Sequence, residues 1–231
     1  MFGKRLINTG GVACTTDTLQ ILGDTSCIAT YRLNGDATDL SGNYNGTATS
    51  VTYVAGQFGD AGSFNGSSSY IDTNYTPAAI STHSVSIWFK TDISAVRRGL
   101  FSDFSSAGTG YSTRLNLGIS ALNKFEFVIG NGTDAWTDTT TINALPYLNG
   151  VWNNVVLVIS GTSVKLYAND SLIANLTSTI AAGTAGTQSI SLGRPGDYNG
   201  LYFNGSIDQV RIFNKAISAS EVTTLYNEIA C

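Results

Sequence analysis

The chain has 231 residues, only 12% of them charged, and a formal net charge of −4. With Arg97-Arg98 as the nearest thing to a basic patch, that balance excludes nucleic acid as a main partner and argues against an acidic membrane surface. Twenty-five glycines and 10% aromatic residues exclude disorder and fit short strands joined by tight turns, at a length that suits one all-β domain.

In chain order, residues 1–27 come first. They are rich in Thr and Gly with weak periodicity, and are predicted to form an arm that docks on other subunits of a homo-oligomeric assembly. The domain proper is expected over 28–231. The start, "MFGKRLINTGGVACTT", lacks the apolar stretch of a secretory signal, which implies synthesis in the cytoplasm. Cys14, Cys27 and Cys231 make an odd count, which argues against a complete disulfide framework; pairing of Cys14 with Cys27 stays open.

Strands are predicted at 28–33, 69–73, 84–90, 99–104, 112–120, 124–130, 152–160, 163–169, 171–175, 189–193 and 202–213. Alternation puts Val85, Ile87 and Phe89 on one face. It does the same for Leu115, Leu117 and Ile119, and for Phe125, Phe127 and Ile129. Gly161-Thr162 between two strands is a hairpin signal. Asn-Gly occurs seven times, a dipeptide that favours turns with positive φ. The sequons, such as Asn65-Gly66-Ser67, are read as the same turn chemistry. The longest apolar run, Val155 to Ile159, is a buried strand and far shorter than a membrane span. Two packed antiparallel sheets would bury these faces. One helix is expected near the end. Ser218 and Glu221 form a capping box, followed by Val222, Leu225, Tyr226 and Ile229 at helical spacing.

Within 202–213, strict alternation places Asp208 on a face with Val210 and Ile212. A carboxylate there must be exposed, heavily hydrogen-bonded or bound to a cation. No acid pair suggests hydrolysis: Glu126 is isolated in "KFEFVIG", and Glu221 and Glu228 belong to the helix region. His83, the lone histidine, reads as a solvated turn residue, and no Cys/His set suggests zinc. An enzyme is therefore not expected. Sugar recognition uses aromatic rings beside amides and acids. The loop candidates are Tyr111 in "GTGYST", Trp136 flanked by Asp134 and Asp138, and Tyr198 and Tyr202 in "DYNGLYF". Trp88 and Trp152 are expected to pack within or against the sheets.

The segments "YRLNGDATDLSGNYNGT", "GSFNGSSSYIDT", "SVSIWFK", "WNNVVLVISGTSVKLYAND" and "ISASEVTTLY" occur in the order seen in concanavalin A-like jelly rolls. They most resemble the laminin-G-like, pentraxin-like branch, over residues 28–230. The resemblance implies an all-β, antiparallel two-sheet jelly-roll sandwich with one short C-terminal helix. It implies glycan or protein binding, and a structural calcium (Ca2+) near Asp39 and Asp208. The loop 34–46 would add Asp36 and Asn45 to that set; the alternative, that Asp208 accepts backbone N–H bonds, stays open. The leader resembles those of laminin-G-like proteins of marine tailed phages. The expected function is thus a virion surface protein with a lectin-like module, binding host glycans and other virion subunits. A carbohydrate-binding module of a cell-surface or secreted protein is the alternative.

Overall fold

A computed structural model describes residues 15–78, 80–103, 115–131, 141–183, 189–194 and 200–229, and the backbone of 135–138. Its strands are β1 (Cys27–Tyr31), β2 (Thr47–Thr49), β3 (Thr52–Ala55), β4 (Asp60–Asn65), β5 (Tyr70–Asp72), β6 (Thr82–Lys90), β7 (Arg98–Ser102), β8 (Leu115–Ile119), β9 (Phe125–Gly130), β10 (Ala135–Asp138), β11 (Asn153–Ser160), β12 (Ser163–Ala168), β13 (Ser171–Thr177), β14 (Ser191–Leu192) and β15 (Asn204–Phe213). Helix α1 (Ala219–Tyr226) closes the chain. The first sheet runs β13-β12-β11-β6-β15-β4-β3, and the second β10-β9-β8-β7-β14-β5-β2. Every pairing is antiparallel among the described residues, as expected from the sequence.

The predicted apolar faces meet between the sheets. Val85, Ile87 and Phe89 of the first join Leu115, Leu117, Ile119, Phe125, Phe127 and Ile129 of the second in one buried cluster. Each such side chain contributes about 1.5–3 kcal/mol on burial, which is why alternation in these strands was a dependable guide. The hairpin at Gly161-Thr162 forms as expected, closing Ser160 onto Ser163 with Gly161 at φ 61°. Asn204-Gly205, by contrast, is no turn; it opens β15 opposite Asn65 and Phe64. A Cβ on Gly205 would lie 2.3 Å from the Lys90 carbonyl oxygen, so the glycine serves close strand approach there.

β15 is the spine of the first sheet. Along one edge it pairs with β4 through 204–207 and with β1 through 210–213; along the other it pairs with β6. Its register to β6 slips between Asp208 and Arg211, with Gln209 in the left-handed region at φ 43°. This bulge corrects the face assignment drawn from alternation. Ile207, Val210 and Ile212 face the core. Asp208 pairs with Trp88 and Arg211 with Ser86, on the outer face of the sheet.

That outer face is itself covered. Val156, Val158, Tyr167 and Phe213 pack against Ile217, Val222 and Leu225, with Leu19, Ile21 and Leu22 alongside. Helix α1 starts at the predicted capping box: the Glu221 N–H donates to Ser218 Oγ at 3.3 Å and the Ser218 N–H to Glu221 Oε2 at 2.7 Å. It ends at Tyr226, so Glu228 and Ile229 lie beyond it, and Ile229 is exposed rather than on the apolar stripe.

The segment 15–26 is fastened to the domain, although residues 1–27 read from sequence as an arm. Arg211, wholly buried, donates to Glu228 Oε1 at 3.0 Å and Oε2 at 2.9 Å. It also donates to the carbonyls of Thr15, Thr16 and Thr18 and to Thr30 Oγ1. The Gln209 amide joins Thr16 O to Glu228 Oε2, both at 2.8 Å. Lys215 bridges Asp24 and Glu221. Both chain ends are thus gripped by one strand. Residues 1–14, with Cys14 and most of the leader, lie outside the described residues, as does Cys231; Cys27 is a buried free thiol. Removing one partner of a buried ion pair leaves the other charge uncompensated, at about 3–5 kcal/mol. Arg211→Met should lower the unfolding free energy in urea by that amount. Adding Glu228→Met should recover part of the loss, the orphaned threonine carbonyls accounting for the rest.

Candidate functional site

Asp208, the puzzle of the sequence, is fully buried. Its Oδ2 accepts the N–H groups of Gln57 and Phe58 at 2.8 and 2.9 Å. The turn bearing these amides is closed by the Gly56 N–H to Gly59 O bond at 2.7 Å. A Cβ on Gly56 would stand 2.6 Å from Oδ2, so only glycine admits the carboxyl. Trp88 lies opposite Asp208 in β6 and packs edge-on to Phe58 at 5.4 Å and stacked on Tyr226 at 5.6 Å. This dry aromatic setting pushes the Asp208 carboxyl up to about 7, against the pull of the amides.

The loop 34–46 solves its charges separately. Asp39 Oδ1 accepts from Thr30 N and Ser41 N, and Oδ2 from Tyr44 N and Ser41 Oγ. Asn45 Oδ1 accepts from Asp39 N at 3.1 Å, and the exposed Asp36 accepts from Thr38 N at 2.8 Å. These residues do not fit a calcium shell of six to eight oxygens. Asp39 has spent its acceptors on the loop, Asn45 Oδ1 is turned to the Asp39 amide, and Asp208 is held by a different turn. Among the described residues no three His, Cys, Asp or Glu side chains converge on a point. Hydrogen bonding by backbone amides is the alternative the structure realises for Asp208.

Of the aromatic candidates, Tyr111, Tyr198 and Asp134 lie outside the described residues. Trp136 and Asp138 are described as backbone only, in β10 opposite Ile129 and Phe127. Tyr202 is half-exposed, and it has company that the sequence reading missed. Its ring lies 6.5 Å from that of Tyr70, tilted by 34°. The Arg194 guanidinium sits 3.5 Å over the Tyr70 ring and donates to Asp72 Oδ1 at 3.0 Å. Ser191 Oγ donates to the same oxygen at 2.6 Å. Tyr70 and Asp72 flank the buried Ile71 in β5, so alternation sends both to the outer face of the second sheet. This signal was legible in "SYIDT"; the approach of Arg194 and Tyr202 from the β14–β15 connection was not.

The patch continues across the sheet. Register aligns Thr47, Asp72, Ser191, Ser102 and Asn116 through β2, β5, β14, β7 and β8. Directly opposed residues share a face, so these five form one polar row, accessible at Thr47 and Asp72 and buried at Ser191, Ser102 and Asn116. Asn116 Oδ1 is buried without a hydrogen-bond partner, an acceptor left over on that row. Glu126, on the same face in β9 by its pairing with Gly118, is held by Arg97. It stands four strands from Asp72, about 19 Å at about 4.8 Å per strand.

The other predicted packing residues divide. Trp88 is buried as expected, and Trp152 is half-buried under Lys90, whose Nζ is 5.2 Å from the ring. His83 is not a solvated turn residue. It lies within β6, is 2% exposed, and stacks on Tyr75 at 6.0 Å. Burial pulls its pKa down to about 4.

The sequence profile described as "Concanavalin A-like lectin/glucanases superfamily" matches residues 65–223. The chain belongs to this superfamily, in its laminin-G-like division. Among solved structures it resembles domain 4 of AbnA, a GH43 extracellular arabinanase from Geobacillus stearothermophilus, in complex with arabinotriose. That likeness has a TM-score of 0.67 at 21% identity, covering 87% of this chain and 98% of that one. It also resembles the binding domain of Paraclostridial Mosquitocidal Protein 1 (TM-score 0.68, 17% identity, 86% of this chain and 51% of that one). The receptor-binding domain of a botulinum neurotoxin C/D mosaic serotype is similar at TM-score 0.61 and 17% identity, over 87% and 51%. The chain spans about half the length of these two toxin domains. No curated protein sequence matches it.

Asp208 and His83 oppose each other in pH dependence. A raised carboxyl stabilises the fold fully below its unfolded value near 3.8 and loses that contribution as pH rises to about 7. A depressed histidine contributes above its unfolded value near 6.5 and loses that as pH falls to about 4. Between pH 4.5 and 6.5 the two slopes, each on the order of 1.4 kcal/mol per pH unit, nearly cancel. Asp24 and Glu221, both held low, act below that window. The Tm of the wild type should therefore be almost level from pH 4.5 to 6.5. Asp208→Asn should expose the His83 slope and lose Tm steadily on acidification.

Proposed function

We propose that this chain is a non-catalytic carbohydrate-binding module whose ligand lies on the outer face of the second sheet, against Tyr70 and Tyr202. The observation that carries this is the pairing of two half-exposed tyrosines with the accessible polar groups of Asp72 and Thr47 on the neighbouring strands. Aromatic rings take the apolar C–H faces of a sugar, while the half-exposed Asp72 and the exposed Thr47 bond its hydroxyls. Arg194 locks Tyr70 and Asp72 in place and is already neutralised by Asp72. The patch thus favours an uncharged glycan over an anionic one.

The spacing of the described acids on this face supports a binding role. Glycoside hydrolysis uses two carboxyl groups roughly 5–10 Å apart. Asp72 and Glu126 are about twice that distance from each other, and Glu126 is neutralised by Arg97. The arabinotriose-bound arabinanase domain supports the reading by showing this fold with a sugar ligand. The leader's resemblance to tailed-phage proteins favours a virion surface as the place of display.

A panel of immobilised neutral oligosaccharides tests the site. Tyr202→Ala should weaken binding of the retained sugar about fivefold, since loss of one stacking ring is worth on the order of 1 kcal/mol. Asp72→Asn should weaken it further, and the Tm of Tyr202→Ala should hold. Binding that survives both substitutions places the ligand elsewhere.

A further inference from the structure

Three loops meet at one end of the sandwich: 91–97, 120–124 and 142–152. The Ala95 N–H donates to Asn123 Oδ1 at 2.5 Å. The Ala144 N–H donates to Asn123 O at 2.9 Å, and the Gly150 N–H to Thr91 O at 3.1 Å. Ala95 (φ 57°), Asn123 (φ 56°) and Gly150 (φ 73°) take left-handed backbone to make these links. Immediately beside each linking residue stands an aliphatic side chain in solvent: Val96, Leu122, Leu145 and Val151, exposed by 52%, 68%, 51% and 56%. The loops are therefore built to hold apolar groups outward, at positions where polar residues would cost nothing.

The charge at this end departs from the acidic average of the chain. Arg32, Arg97, Arg194, Arg211 and Lys215 all form ion pairs. Lys90, Lys124 and Lys165 form none among the described residues and are partly exposed; the first two border these loops, while Arg98, also without an ion pair, is buried beneath them. Asp92 is an exposed acid nearby, while Glu126 is committed to Arg97. Trp152 lies half-buried under Lys90, an aromatic beside a cation at the rim.

We infer that this end docks on an anionic lipid surface. Four half-exposed aliphatic side chains make a patch of a few hundred Å², short of the roughly 800 Å² per partner that a stable protein interface covers. A bilayer demands no matching shape. It accepts aliphatic tips below the headgroups, a tryptophan at their level and lysines among the phosphates. The overall charge of −4 argued against such a partner, but docking depends on the local field within a Debye length. The contact is shallow and reversible, with a partition constant on the order of that of one acyl chain, about 10⁴ M⁻¹. The Gly99 N–H donates to Leu201 O at 3.0 Å, so the tyrosine patch is at the same end of the second sheet. The inference does not depend on the glycan reading.

Sedimentation with sugar-loaded vesicles tests it, comparing pure phosphatidylcholine with the same lipid containing one-fifth phosphatidylserine. The whole chain should partition onto the anionic vesicles, and less so as salt is raised. Leu122→Asp with Val151→Asp, both at exposed positions, should cut partitioning at least tenfold without change in Tm. Lys124→Glu should cut it by a smaller factor. No partition onto anionic vesicles, or partition untouched by the double substitution, overturns the inference. So does concentration-dependent self-association that the double substitution abolishes in the absence of lipid, which would make the patch a contact between copies.

Discussion

One buried guanidinium organises the molecule. Arg211 sits on the outer face of the first sheet, where a charge without partners would be costly. It is satisfied by a carboxylate from beyond the last helix and by carbonyls of the segment before the first strand. The chain ends must therefore converge on β15, and the apolar residues near them, Leu19, Ile21, Val222 and Leu225, seal that face. With that outer face closed, the exposed polar and aromatic surface of the second sheet lies toward its β5–β2 edge, around Tyr70, Tyr202, Asp72 and Thr47.

The bulge at Gln209 makes that placement workable. By keeping Asp208 and Arg211 on the outer face while Ile207, Val210 and Ile212 stay in the core, it lets one strand carry two ionisable groups without opening the sandwich. The two are handled differently. Arg211 stays charged and is paired. Asp208 is held by two amides amid Phe58 and Trp88, where burial favours its protonated form. Glu228, the partner of Arg211, adds a small push in the same direction.

Much of the architecture was legible in the residues. Strands whose alternate positions are bulky and apolar, such as β6, β8, β9 and β11, could be placed closely because burial enforces the period of two. β2, β3 and β4 were missed. "TAT" and "TYVA" are largely exposed edge strands, and "DAGSFN" carries a glycine; none has an apolar face to read. The bulge was invisible because Gln209 has no sequence mark of left-handed backbone, and it misassigned Asp208 until the register to β6 was known. At the tyrosine patch, Tyr202 could be suspected as a loop aromatic. Tyr70, Asp72 and Arg194 could not be joined to it, since residues 70 and 202 are brought together only by the order of β5 and β14 in the second sheet. Likewise, the apolar tip is made of scattered residues in three loops, each unremarkable until the hydrogen bonds of Asn123 and Gly150 gather them.

The account stands on residues near both ends being part of the folded unit through Arg211. Native-state hydrogen exchange reads this most directly, at the amides of Thr16 and Ile229, which bond across the junction of the two ends. They should open with the same free energy as the amides of β15, as one cooperative unit. If they exchange like unprotected amides while β15 remains closed, the ends are not clasped and the sealing of the first sheet has another cause.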